Sequence, residues 1–124
     1  MNSRDLLRIT SRTFALGIER LPHILCDATT VAYLLLRVSD YLEDNEEMGA
    51  DEKVALLNLW VNILRDQSDV EELTANVADV DVSNPDAIVT QHAKEILLHL
   101  HSLPEDVREI IVRHVINSTQ GMAR

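Results

Sequence analysis

The stretch Ala32-Tyr33-Leu34-Leu35-Leu36-Arg37-Val38-Ser39-Asp40-Tyr41-Leu42-Glu43-Asp44 carries most of what the chain says about its fold. Tyr33, Arg37, Asp40 and Asp44 fall at i, i+4, i+7 and i+11, so a helix sets all four side chains on one face. The residues between them, Leu34, Leu35, Leu36, Val38 and Leu42, coat the other faces. A helix that is apolar nearly all round is normally a buried one. Burying carboxylates is costly unless their charge is compensated. The stripe therefore faces either a salt-bridge network or a cavity that holds cations.

Outward from the stripe, the composition supports a helical protein. The chain has 124 residues, 46% of them hydrophobic but only 3% aromatic, with three Gly and three Pro. That length makes one domain spanning 1–124, or part of a larger one. Leu, Val and Ile dominate, and no alternating stretch is punctuated by Gly or Pro as strands and hairpins would be. The formal net charge of −10 argues against a nucleic-acid partner, whose phosphates call for Lys and Arg. The first 37 residues are slightly basic, with Arg4, Arg8, Arg12, Arg20 and Arg37, while most of the acid follows. Cys26 is the single cysteine, which excludes an internal disulfide and fits a buried thiol in a reducing compartment. The start MNSRDLLRIT lacks a signal-peptide core, and no apolar run reaches the roughly 18–20 residues of a bilayer span. A cytoplasmic protein is expected.

Helix signals recur along the chain. A first helix is predicted from Asn2 or Ser3, capped by Ser3, past Ile9 toward Gly17. Pro22 opens the next, which runs through the stripe to about Asn45. A third is predicted over 51–66, and Ser68-Asp69-Val70-Glu71 reads as a capping box for a short helix fading near Ala78. Asn84 and Pro85 read as N-cap and N1 of a helix that continues through Leu100. Ser102-Leu103-Pro104-Glu105 offers another capping box for a last helix ending near Gly121. Five or six helices with short connections make an all-α bundle.

The chemistry centres on Asp40 and Asp44, one helical turn apart with Cβ atoms about 5–6 Å from each other. Two buried carboxylates at that spacing retain a proton unless a cation sits with them. Magnesium suits such a pair, because it takes oxygen ligands and bridges one or two carboxylates to phosphates. Glu43 can act as an outer ligand. Arg37 can hold a carboxylate or a diphosphate oxygen, and Tyr33 brings a hydroxyl and an aromatic face. The plainer alternative is an i,i+3 Arg37–Asp40 ion pair beside a solvated acidic helix end. The histidines suggest zinc less strongly: His92 and His99 share a face with Glu95 between them, but no HExxH or Cys pair is present.

Several separated motifs together carry a resemblance. Ser11-Arg12-Thr13-Phe14, Leu21-Pro22, and Tyr33-x-x-x-Arg37-x-x-Asp40-x-x-Glu43-Asp44 resemble, in order and spacing, the N-terminal part of the squalene/phytoene synthase family. The DxxED form, Asp40-Tyr41-Leu42-Glu43-Asp44, resembles squalene synthases more than phytoene synthases. Gly121-Met122-Ala123 resembles a point shortly before the middle of squalene synthases. The resemblance implies an all-α class I isoprenoid synthase fold, of which this chain is the N-terminal portion. It implies head-to-head joining of two farnesyl diphosphates through a cyclopropylcarbinyl (presqualene) diphosphate, with Mg2+ assisting departure of diphosphate. NADPH then reduces the intermediate to squalene, whereas relatives stop earlier or quench with water. By position, Asp40 and Asp44 hold magnesium with Glu43 in support. Ser11, Arg12, Thr13 and Arg37 hold diphosphate oxygens, and Phe14 and Tyr33 flank the prenyl chain and its cation.

The chain departs from that family in length and in lacking a second aspartate-rich helix; Asp66-Gln67-Ser68-Asp69 and Asp79-Val80-Asp81 fall in predicted loops or helix ends. One wall of a two-walled site is therefore expected, inactive until completed by a C-terminal half. A companion chain or self-association through an exposed apolar face follows as an expectation. Peripheral membrane contact fits greasy substrates, although no basic amphipathic helix supports it. A non-catalytic helical assembly protein derived from the same family, or a phytoene-synthase-like or cyclising relative, are the competing readings.

Overall fold

The structure, a computed structural model, describes residues 2–10, 23–44, 49–76 and 84–123. Seven helices make up these residues, with no strand among them: α1 (Ser3–Thr10), α2 (His23–Asp44), α3 (Ala50–Leu64), α4 (Val70–Asn76), α5 (Pro85–Gln91), α6 (Ala93–Ser102) and α7 (Glu105–Met122). The fold is all-α, as the composition predicts.

The stripe helix α2 is the axis of the bundle, packing against α1, α3, α5, α6 and α7. Its apolar residues Val31, Leu34, Leu35, Val38 and Leu42 are all fully buried. Each such side chain contributes roughly 1.5–3 kcal/mol over an exposed one, so this segment is held in place by its own composition. Around it lie Leu6 of α1, Leu57 and Trp60 of α3, Leu73 of α4, Val89 of α5, Ile96 and Leu100 of α6 and Val115 of α7, in one continuous core.

Local signals place most helix boundaries, and the departures have physical causes. The N-cap of α1 is Asn2 rather than Ser3: Asn2 Oδ1 accepts from the Asp5 backbone N–H at 2.9 Å, while Ser3 is buried and turned toward His99. The predicted continuation of that helix toward Gly17, and the Pro22 start of the next, lie outside the described residues. At α4 the capping side chain is Asp69, accepting from Glu71 N–H at 3.0 Å. Asn84 does cap α5, accepting from Asp86 N–H at 3.0 Å with Pro85 following it. The helix expected through Leu100 breaks at His92, whose φ of −100° and ψ of 20° leave the helical range. There the ring Nδ1–H donates to the Ile88 carbonyl at 2.8 Å, so side chain and backbone compete for one acceptor. Ser102 does not cap α7. Its hydroxyl donates back to the His99 carbonyl at 2.6 Å, and α7 starts behind Pro104 without a side-chain cap.

Candidate functional site: a polar stripe on the central helix

α2 carries Tyr33, Arg37, Asp40 and Asp44 at helical spacing, and α5 packs against this helix. Arg37 occupies the centre. Its Nε–H donates to Asp86 Oδ1 at 2.9 Å, and Nη2 donates to Asp86 Oδ2 in the same fork. Nη1 donates to Asp40 Oδ2 at 3.1 Å. The side chains of Arg37 and Asp40 keep a third of their surface exposed and that of Asp86 a fifth. A bidentate guanidinium–carboxylate pair is the strongest form of such contact. The hydrogen bond to Asp86 accordingly raises the Arg37 pKa above its ordinary value; burial opposes this, and the charges of Asp86, Tyr33 and Asp40 reinforce it.

Asp40 is less well compensated. Its carboxyl is pushed above the usual aspartate value by burial; Arg37 opposes this, and the negative charges of Asp44 and Asp86 add to it. Among the described residues one guanidinium thus bonds two carboxylates, Asp86 and Asp40, while Asp44 lies near enough to add to the negative charge on Asp40. Asp44 and Glu43 are exposed at the end of α2. Among the described residues no three His, Cys, Asp or Glu side chains converge to enclose an ion, and one oxygen of Asp40 is taken by Arg37. Open carboxylate oxygens are the donor set that suits Mg2+, which keeps waters and shares its shell with phosphates. Tyr33 is partly buried beside Leu7 and Cys26, and Cys26 is the buried thiol expected from its neighbours. Thr30, two turns before Arg37, buries its hydroxyl without a hydrogen-bond partner among the described residues, which extends the polar side of α2 toward its N-terminal half.

Ser11, Arg12, Thr13 and Phe14 lie outside the described residues. The residue that sequence reading missed is Asp86, 49 positions from Arg37. An acid just after an N-cap Asn and a Pro is visible in the chain, but as a helix-start signal with no hint of its partner. The His92–His99 pair does not form: His92 bonds its own helix, while His99 Nδ1 meets Ser3 Oγ at 2.8 Å and its Nε2 lies 3.7 Å from Asp27. Elsewhere, a cleft of about 390 Å³ between the end of α3, the second half of α6 and the middle of α7, lined by Ile63, Leu97, Val112, Arg108 and Arg113 among others, shares no residue with the stripe.

No protein-family model matches the chain. The squalene synthase of Saccharomyces cerevisiae is 31% identical over 123 residues, covering 96% of this chain and 26% of the yeast protein. In Botryococcus braunii, a squalene synthase is 36% identical and a lycopaoctaene synthase 39% identical, each over 64 residues, or 52% of this chain and 14% of the relative. The chain thus spans about a quarter, or less, of the length of these relatives. The all-α body fits a fragment of the helical isoprenoid synthase fold. Within that fold class the chain belongs to the squalene/phytoene synthase family. No helix among the described residues is long and apolar enough to cross a membrane.

Proposed function

We propose that the chain supplies one wall of a prenyl-diphosphate site for squalene-synthase-type head-to-head coupling of farnesyl diphosphate, acting once a second wall completes it. The observation that carries this reading is the geometry of the stripe: among the described residues Arg37 bonds Asp86 and Asp40 while keeping a third of its side chain open, with Asp44 exposed one turn on. Such a site has room for further positive charge, and magnesium accompanying a diphosphate would supply it beside the carboxylates. Magnesium, when bound, offsets the charge of the departing diphosphate. Asp40 and Asp44 would hold it, with Glu43 beside them. Arg37 binds a diphosphate oxygen through N–H groups left over from its carboxylate partners. Tyr33 sets an aromatic face and a hydroxyl next to the prenyl chain, where a carbocation is favoured by the ring quadrupole. The core residues on either side of the stripe shield one side of that region from water, and the second wall would close the other. Ser11, Arg12 and Thr13 belong to the diphosphate-binding set, and Phe14 to the prenyl pocket, by the resemblance.

Calorimetric titration with farnesyl thiodiphosphate tests the proposal, with and without magnesium, on the chain alone and mixed with the C-terminal part of a squalene synthase. Magnesium-dependent binding that Asp40→Asn or Asp44→Asn abolishes is expected. Binding indifferent to both substitutions, or none in either format, would refute it. A second reading, a relative with a different product, is favoured by the 39% match to a lycopaoctaene synthase. Products formed from farnesyl against geranylgeranyl diphosphate, with and without NADPH, decide between the two.

A further inference from the structure

Arginine carries five N–H donors in a rigid planar fork. In Arg37 the Nε donor and one on Nη2 go to Asp86, and one on Nη1 goes to Asp40. Among the described residues two donors remain unspent, one on each terminal nitrogen, on a side chain that keeps a third of its surface open. The direction of those two is set by whatever holds the other three.

Asp86 is suited to hold them because its own backbone is fixed on both sides. Its N–H donates to Asn84 Oδ1 at 3.0 Å, and its carbonyl accepts from the Thr90 hydroxyl at 2.8 Å. Thr90 is fully buried, and Ala87 and Val89 anchor the same short helix in the core. The carboxylate is therefore carried on an arm that cannot follow Arg37 if it turns. Asp40, by contrast, sits on α2 itself, three residues from Arg37, and contributes a single hydrogen bond.

We infer that Asp86 is a positioning residue for the anion site: it locks the Arg37 guanidinium plane so that its two unspent N–H donors meet a diphosphate oxygen. The inference rests on the prenyl-diphosphate reading of the stripe. It adds a carboxylate outside the DxxED motif to the machinery, one that never touches the ligand. Its loss lowers affinity for the anion by freeing the guanidinium to swing, and leaves the magnesium requirement intact.

The test is a double-substitution cycle at Asp86 and Arg37, read as the dissociation constant of farnesyl thiodiphosphate at saturating magnesium. Asp86→Asn keeps the side-chain shape but removes one acceptor oxygen and the charge. A loss of affinity on the order of tenfold is expected, the low end of what removing an orienting partner costs. Asp86→Glu restores part of it. In the Arg37→Lys background, which has no fork to orient, Asp86→Asn changes affinity little. Binding stays magnesium-dependent throughout, since Asp40 and Asp44 are retained. Unchanged affinity in Asp86→Asn, or an equal loss in both Arg37 backgrounds, would overturn the inference; the latter is the signature of a mere staple between α2 and α5. The Arg37 Nε–H resonance, followed by NMR without ligand, separates the two levels. A slowly exchanging proton in the wild type that becomes fast in Asp86→Asn supports the lock, and one that is fast in both refutes it. Absence of thiodiphosphate binding by the wild type itself defeats the underlying site reading instead.

Discussion

Ser39 of α2 and Thr119 of α7 share a 2.7 Å hydrogen bond in the core, across 80 positions of chain, with both residues fully buried. Each hydroxyl also reaches a carbonyl of its own helix, Thr119 that of Val115 at 2.7 Å and Ser39 that of Leu35 at 3.4 Å, so either can supply the shared proton. Ser39 in turn accepts from the Trp60 indole N–H at 3.1 Å. One serine thereby satisfies polar groups on α3 and α7 while sitting one residue from Asp40.

Ser39→Ala should destabilise the chain by about 1–3 kcal/mol, the usual cost of leaving a buried donor unpaired. Trp60 is the only tryptophan, so its fluorescence during urea unfolding reads the change directly. Thr119→Val added to Ser39→Ala should cost less than the two single effects combined, because members of one network are not independent.

Asp40→Asn should behave in the opposite sense in the absence of metal. Its carboxylate is disfavoured where it stands by burial and by Asp44 and Asp86, so neutralising it relieves a strain. The thermal midpoint in chelator is expected to match or exceed that of the wild type. The rise that magnesium with thiodiphosphate gives the wild type is expected to vanish. A clear drop in chelator would show that the Arg37–Asp40 pair matters more to the fold than the surplus of negative charge.

Asn84→Ala removes the cap of α5 and should cost about 0.5–2 kcal/mol. If Asp86 positions Arg37, the same substitution should also weaken thiodiphosphate binding, since Asp86 loses the bond that fixes its backbone. Chemical denaturation and titration on one preparation separate the two effects.

Asp27→Asn tests the far end of α2. Asp27 faces Arg4 at 3.4 Å, His23 at 3.3 Å and His99 at 3.7 Å, tying α1 and α6 to the central helix. Partly exposed pairs of this kind contribute roughly 0–1 kcal/mol each. Amide exchange in Ser3–Thr10 should therefore accelerate severalfold, while exchange at Leu34, Leu35 and Val38 stays slow. Equal acceleration along α2 would mean that Asp27 supports the whole bundle.

The amino-acid order alone determined that α2 is the buried axis, because Leu34, Leu35, Val38 and Leu42 leave no solvated face except the stripe. It also determined that Tyr33, Arg37, Asp40 and Asp44 share that face, since helical periodicity is a local property. Several termini were local too, where a side chain such as Asn84 can answer the backbone within a few residues. Other termini were not: Ser102 had the right spacing for a capping box, yet its hydroxyl found a carbonyl of the preceding turn instead. The break at His92 was equally hidden, because apolar periodicity runs straight through it. Only the tertiary structure decided which carboxylate holds Arg37, whether Ser39 would meet Trp60 and Thr119, and that His92 and His99 would part. Those outcomes depend on pairings across tens of residues, for which the chain carries no marker; the partner is chosen by how the helices pack, and packing is a property of the whole core.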